Sequence, residues 1–341
     1  MDRLALLHKC ELADILRLSD RATALPESLG LLTTLTVLDV NPYTMFQLKS
    51  LPGSLGQLTA LQKLSLDHCV SLTDLPESLG QLAELTALSL VGCWNLSRLP
   101  ESLGKLAALS TLDLPDCHCL TMLPDSLGQL TALRMLNIRC CCKLTELPEA
   151  LGQLTALTTL NLSLCHALTG LPGSLGHLAA LAVLDCAVCL QLTRLPASLG
   201  QMAKLKTLHL TGCISLTGLP ASLGRLVVLE TLDLAGCTRL TALPESLGRL
   251  AALTCLNLLS CSALKRLPVS FVELSDSVKV YVKDVPAVPE GASHMAAVKA
   301  FLFKHHHHHP LQMLVVILIA KRHQMQHLPD ELWKEYWANR T

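Results

Sequence analysis

A proline recurs every 24 residues through most of this chain, and that period limits the fold more than any other feature. Prolines stand at positions 52, 76, 100, 124, 148, 172, 196, 220, 244 and 268, and Pro26 precedes the first of them by 26 residues. In most copies the proline follows leucine and precedes x-x-Leu-Gly. A period between about 20 and 50 residues is typical of a solenoid, in which each coil packs only against its neighbours.

The apolar residues of one unit keep fixed places. A full unit reads Leu61-x-x-Leu64-x-Leu66-x-x-Cys69-x-x-Leu72-x-x-Leu75-Pro76-x-x-Leu79-Gly80-x-Leu82. This unit resembles a leucine-rich repeat that ends in cysteine, and the resemblance extends from about Leu25 to Pro268. The repeats are similar to those of plant intracellular disease-resistance proteins and of Ras-group leucine-rich-repeat proteins. The resemblance implies an α/β solenoid shaped as a horseshoe, with a parallel sheet on its concave side.

The parts of one unit predict its local structure. Leu64 and Leu66 alternate with Ser65, which predicts a short strand with the leucines inward. Pro76 has no N–H to donate, so it lies outside the sheet and suits the first turn of a short helical or 3₁₀ segment on the convex side. Glu77 then meets the positive end of that turn, and Gly80 permits a left-handed exit from it.

Breaks in the period divide the chain into four parts. We expect an irregular N-terminal cap at residues 1–24, a repeat array of about 11–12 coils at 25–285, a C-terminal capping helix at 286–304, and a histidine-rich linker with a helical tail at 305–341. The alternation of Val278, Val280 and Val282 predicts a final strand, and the capping helix is expected over 293–303. The second coil carries two extra residues, and we expect a bulged loop there, with Tyr43 or Met45 near the cysteine place.

Composition and charge exclude several functions. Aromatic residues make up only 3% of the chain, so leucine has to form the core. The 27 basic and 27 acidic residues give no net charge, which argues against a nucleic-acid partner. The start of the chain, with His8, Lys9 and Glu11, lacks the apolar core of a signal peptide, so we expect a cytoplasmic protein. No arrangement of residues indicates a catalytic site or a cofactor, and we expect no enzyme activity.

The cysteines follow the repeat. Nine of the 15 occupy the last position of successive units: Cys69, Cys93, Cys117, Cys141, Cys165, Cys189, Cys213, Cys237 and Cys261. We interpret this cysteine ladder as structural, buried and reduced, with each thiol packing as a small hydrophobe that donates to a loop carbonyl. The pair Cys186 and Cys189 and the triple at 140–142 are interpreted in the same way. We therefore expect no metal site.

Three consecutive central coils differ in the two residues before the ladder cysteine. Several coils have a small pair there (Val91-Gly92, Thr211-Gly212 and Ala235-Gly236), whereas these coils have Arg139-Cys140, Ser163-Leu164 and Ala187-Val188. We expect these side chains to point to solvent at the rim of the concave face and to form, with nearby strand residues, an apolar strip for a protein partner. The predicted partner-binding residues are Arg134, Met135, Arg139, Cys140, Leu164, Val183 and Val188.

The function predicted from these features is a non-catalytic scaffold or recognition module for protein partners, in intracellular signalling or an immune-type response. An alternative comes from residues 328–333, Leu-Pro-Asp-Glu-Leu-Trp, which are similar to the opening of an F-box and would suit a substrate receptor of a ubiquitin ligase. Residues 311–320 are apolar but too few to span a membrane, which leaves peripheral attachment as a third hypothesis. The five histidines at 305–309 are interpreted as a linker.

Overall fold

The computed structural model describes residues 23–40, 47–288 and 295–305. Three predictions fall wholly or mostly outside the described residues: the N-terminal cap, the bulged loop around Tyr43 and Met45, and the tail after residue 305. The F-box-like segment and the apolar stretch at 311–320 belong to that tail.

Within the described residues, eleven strands of three residues form a single parallel sheet, in the order in which they occur along the chain. The central leucine of one strand pairs with the central leucine of the next, as Leu64 does with Leu88, so that inward side chains stack at one depth. The predicted parallel sheet is confirmed. The strands are β1 (Val37–Asp39), β2 (Lys63–Ser65), β3 (Ala87–Ser89), β4 (Thr111–Asp113), β5 (Met135–Asn137), β6 (Thr159–Asn161), β7 (Val183–Asp185), β8 (Thr207–His209), β9 (Thr231–Asp233), β10 (Cys255–Asn257) and β11 (Lys279–Tyr281).

Each strand is preceded by a 3₁₀ turn of five residues, and consecutive turns pack on one another as the strands do. Pro76 has φ −71° and ψ 148°, so it is extended and the turn begins only at Glu77. The predicted helical segment is therefore a 3₁₀ turn that starts directly after the proline. The turns cover Glu27–Leu31, Gly53–Gln57, Glu77–Gln81, Glu101–Lys105, Asp125–Gln129, Glu149–Gln153, Gly173–His177, Ala197–Gln201, Ala221–Arg225, Glu245–Arg249 and Val269–Glu273.

The glycine of the 3₁₀ turn allows consecutive coils to pack closely. The prediction that Gly80 provides a left-handed exit is wrong, because the described glycines with positive φ are Gly92, Gly212 and Gly236. A Cβ atom on Gly80 would instead collide with the carbonyl oxygen of Ser102 in the next coil, and would lie 2.7 Å from the Ser102 Cβ. The turns can stack this closely only because the glycine has no side chain.

The acidic residue of the turn also acts between coils. The Glu77 carboxylate accepts a hydrogen bond of 3.0 Å from the backbone N–H of Ser102, and no side chain caps its own turn. Glu149 accepts two such bonds from the next turn, from Gly173 at 3.0 Å and Ser174 at 2.8 Å. Each carboxylate therefore satisfies N–H groups at the start of the following turn, which a 3₁₀ turn leaves unpaired.

The ladder cysteines lie fully buried in the core that the leucines form. The Cys93 thiol donates to the Leu66 carbonyl oxygen at 3.2 Å, and the same bond recurs from Cys117 through Cys261. Burial raises the pKa of Cys117 to about 12. The cysteines of the described residues are free thiols.

The C-terminal end of the array is covered by one α-helix, α1 (Met295–His305), which begins and ends two residues after the helix predicted over 293–303. Met295 and Val298 are fully buried, and the Lys299 ammonium lies 2.6 Å from the Asp276 carboxylate. The helix contacts the last 3₁₀ turn. Within the described ranges, no helix has the length and apolar character needed to cross a membrane.

Candidate interaction surface

Each regular coil leaves its strand through a residue in the left-handed conformation, directly before the ladder cysteine. Glycine fills this place in three coils, at φ between 67° and 71°, and His68, Asp116 and Ser260 fill it in three others, at φ between 58° and 61°. In the three central coils the place is filled by Cys140, Leu164 and Val188, at φ of 62°, 63° and 59°. We call these three residues the left-handed row. A side chain in this conformation is unfavourable by roughly 1–2 kcal/mol, and for a β-branched residue such as valine it is an outlier.

Contacts between coils hold the left-handed row in place. The N–H of Leu164 donates to the Ala187 carbonyl oxygen at 2.7 Å, and the N–H of Val188 donates to the Thr211 carbonyl oxygen at 2.6 Å. The same bond links Gly212 to Ala235 at 2.6 Å, so these hydrogen bonds continue the sheet past the ends of the strands. The unfavourable conformation is thus imposed by the stacking of coils.

Side chains at the ends of the strands supply a second constraint that sequence reasoning missed. The third residue of a strand accepts a hydrogen bond from the N–H two positions later, as Asx turns do. These bonds run from Arg139 to Asn137 at 3.2 Å, from Ser163 to Asn161 at 2.9 Å and from Ala187 to Asp185 at 2.9 Å. Asn or Asp at this strand position in consecutive units is the sequence signal that would have revealed them.

One of the predicted exposed side chains is buried. Ser163 is 7% exposed, and its hydroxyl donates to the Asn161 carboxamide oxygen at 2.7 Å. The prediction that both residues of each pair point to solvent is therefore wrong for Ser163. Cys140, Leu164 and Val188 are half-buried, whereas Arg139 is exposed and lies 3.7 Å from the Asp116 carboxylate.

The predicted partner-binding residues form two rows. The left-handed row runs through adjacent coils, with Arg139 beside it. Met135, which is 42% exposed, and the half-buried Val183 lie at the starts of β5 and β7. Thr159 of β6 stands between them in the sheet register. Arg134 precedes β5 and is exposed. The structure therefore brings Cys140, Leu164 and Val188 together, and places Met135 and Val183 apart at the opposite ends of their strands.

A different surface lies along the Leu-Pro segments of the coils before these. It is a groove of about 810 Å³ that the turns from Glu77 to Glu149 line. Its charged side chains are mostly acidic, with Arg98 as the basic residue among them. This groove is mainly acidic, whereas the left-handed row is flanked by Arg139, which pairs with Asp116.

A cluster of possible metal ligands lies at the same end of the strands. The Sγ atom of Cys140 is 3.7 Å from the Sγ atom of Cys142 and 3.9 Å from Nδ1 of His118. All three side chains are half-buried. No local motif joins His118 to the two cysteines, because His118 stands 24 residues before Cys142, in the neighbouring coil.

Comparison with known proteins agrees with this architecture. Residues 91–188 match the family model described as leucine-rich repeat region. The described array has the fold of a leucine-rich-repeat solenoid. The leucine-rich repeat domain of the type III effector XopL is 26% identical, with 80% of each chain covered and a TM-score of 0.54. A leucine-rich repeat protein of Leptospira interrogans is 25% identical over 80% of this chain and 90% of that chain, with a TM-score of 0.31. No curated protein gives a significant match.

Proposed function

We propose that this leucine-rich-repeat chain is a non-catalytic scaffold that binds a protein partner through the left-handed row and Arg139. The fold in general supports a protein-interaction scaffold. The observation that carries the proposal is the set of three side chains in consecutive coils, with leucine and valine at a left-handed position that glycine, histidine, aspartate or serine fills in the other regular coils. The likeness of the repeats to those of plant intracellular resistance proteins supports a place in signalling or an immune-type response.

Stability alone does not account for these side chains. Each one is unfavourable by roughly 1–2 kcal/mol relative to glycine because of its conformation. Leu164 and Val188 are half-buried, so each recovers only part of the roughly 1.5–3 kcal/mol that full burial of such a side chain would give. Strained backbone of this kind occurs preferentially at binding sites. The remaining exposed area of these side chains is then available to a partner.

The chemistry of the surface suits a partner with an apolar side chain beside an acidic one. Leu164 and Val188 offer apolar area, and Arg139 offers a guanidinium group whose own ion pair with Asp116 is long and exposed. An exposed pair of this kind contributes roughly 0–1 kcal/mol, so it does not hold Arg139 against a better acceptor. Apolar centres with arginine at the edge are typical of protein interfaces.

Paired substitutions separate binding from folding. Affinity purification with the full chain identifies the partner, and direct titration then measures its affinity for each variant. We expect L164G/V188G to be at least as stable as the parent, because glycine relieves the left-handed strain, and to bind the partner at least ~10-fold more weakly. L164D/V188D should lose binding as well. The control is I214D, which changes an exposed apolar residue of a later coil.

Two results would contradict the proposal. One is full affinity in the folded L164G/V188G variant. The other is loss of binding when the acidic groove is changed by E101K/D125K while the left-handed row is intact. The second result would move the interface to the groove.

The F-box-like segment at 328–333 supports a second candidate, a substrate receptor of a ubiquitin ligase. In that case the array would select the target and the C-terminal segment would bind the ligase adaptor. Recovery of an adaptor by the full chain, and its loss on deletion of residues 328–341, is the expected result. An unchanged set of recovered proteins after the deletion would remove this candidate.

A further inference from the structure

We propose that His118, Cys140 and Cys142 bind a zinc-like divalent cation at the end of β4 and β5. Cys140 also belongs to the left-handed row, but this inference rests on the positions of the donor atoms and not on the protein partner proposed above. Two thiolates and one imidazole are a ligand set that Zn²⁺ uses in proteins. The three donor atoms lie within 4.8 Å of one another.

The distances between the donor atoms fit one ion. In a tetrahedral site with Zn–S bonds of about 2.3 Å and Zn–N bonds of about 2.0–2.1 Å, two sulfur ligands lie about 3.8 Å apart, and sulfur and nitrogen about 3.6 Å apart. The observed separations are 3.7 Å between the Cys140 and Cys142 sulfurs and 3.9 Å between the Cys140 sulfur and His118 Nδ1. These two separations lie within about 0.3 Å of the tetrahedral values, and the third pair of donor atoms lies within 4.8 Å.

The repeat itself brings the ligands together. His118 and Cys142 occupy the position directly after the ladder cysteine in consecutive coils, and Cys140 occupies the left-handed position before it. The left-handed backbone of Cys140 is held by the hydrogen bond from its N–H to the Ser163 carbonyl oxygen, 2.7 Å long. Two of the three ligands thus belong to one turn, and the third comes from the turn stacked against it.

Neighbouring groups orient the histidine and hold the protons that an ion would displace. The ring of Trp94 stacks on the ring of His118, with centroids 6.2 Å apart and planes at 27°. Nδ1 of His118 and the Cys142 thiol lie 3.1 Å and 3.4 Å from the Cys140 carbonyl oxygen, which accepts hydrogen bonds when no ion is bound. Binding moves the imidazole proton to Nε2 and removes both thiol protons, because thiolate and neutral imidazole are the ligating forms.

The site differs from the other cysteines of the array in access. The ladder cysteines are fully buried and donate to backbone carbonyls, whereas the three ligands are half-buried.

Cobalt spectroscopy of the reduced full chain tests the site. Co²⁺ bound by thiolates gives a sulfur-to-metal charge-transfer band, to which the histidines at 305–309 do not contribute because they offer only nitrogen. We expect a charge-transfer band with the intensity of two thiolate ligands, which saturates at one cobalt ion per chain and disappears when Zn²⁺ displaces the cobalt. The matched control is C119S, since Cys119 is a half-buried thiol outside the cluster that contacts Lys143 at 3.5 Å.

The variants decide the assignment. C140S and C142S should each weaken cobalt binding by more than the ~10–100-fold that loss of a supporting group causes. H118Q should shift the visible bands while part of the thiolate band remains. Circular dichroism confirms that each variant is folded. Absence of a thiolate band in the folded parent, or a band of full intensity in the folded C140S/C142S chain, would overturn the proposal.

Discussion

The glycine of the 3₁₀ turn limits how closely two coils stack, and Gly152→Ala tests this directly. A Cβ atom at position 152 would lie 2.5 Å from both the Cβ atom and the carbonyl oxygen of Ser174 in the next coil. Ordinary contacts of a Cβ atom begin at 3.4 Å, so the coils would have to separate by about 0.9 Å at this point. The atoms that have to move belong mainly to the backbone and have no alternative rotamer.

The expected loss of stability follows from that separation. Overpacking a filled interior destabilises by typically 1–3 kcal/mol. Here the strand pairing between β6 and β7 fixes the coil spacing on the other side, so the upper end of that range applies, about 3 kcal/mol. The control is Gly218→Ala, because nothing lies within 4 Å of a Cβ atom at position 218. That change should be neutral or stabilise the chain by about 0.4–1 kcal/mol through the unfolded state.

Urea denaturation of both variants and the parent gives the free energies of unfolding. Because repeats can unfold in part, hydrogen exchange should be measured alongside, and protection should fall first in the coils on either side of position 152. A Gly152→Ala variant within about 0.5 kcal/mol of the parent, a difference typical of surface changes, would refute the close-approach argument. Equal destabilisation by Gly218→Ala would refute it as well.

Three further predictions concern the thiols, the cap and acid stability. The ladder cysteines should resist thiol labelling in the native chain and react after denaturation, and fast native labelling of Cys93, Cys165 or Cys213 would contradict their burial. Removal of residues 269–341 should lower the melting temperature and promote association, because it uncovers the last regular coil. Removal of residues 306–341 should do much less. Equal melting temperatures for the full chain and for residues 1–268, with both chains monomeric, would exclude a capping role. Hydrogen bonds from Ser174 and Gly173 lower the pKa of Glu149 below its usual 4.5. The contribution of Glu149 to the stability of the chain is therefore present above pH 4.5 and is lost as the pH falls through the pKa of the folded state. The E149Q variant should flatten this part of the plot of stability against pH, and an unchanged plot would show that these hydrogen bonds contribute nothing.

The repeat period was sufficient to predict the coil, the parallel sheet and the inward leucines, because those depend on spacing alone. The roles of Gly80 and Glu77 could not be derived from their own unit. Local rules assign a glycine after a helical turn to a left-handed exit and an acidic residue to its own turn. In this chain both residues act on Ser102 of the next coil. A contact 22–25 residues away is invisible to rules that use only neighbouring positions.

The same reasoning explains why the left-handed row and the metal-ligand cluster were incompletely predicted. In the sequence Gly92 is part of a small pair, but the reason for the glycine is its positive φ, and the energetic cost of Leu164 and Val188 at this position follows only from that φ. Positions 24 residues apart are adjacent in this solenoid. When the repeats are aligned one below the other, each column of the alignment therefore lists residues that are neighbours in space. The column after the ladder cysteine contains Trp94, His118 and Cys142 in that order, and the structure stacks the first two rings and places the thiol beside the histidine. For a repeat protein, candidate ligands should therefore be sought along such columns, where spacing that looks remote in the linear chain is contact distance.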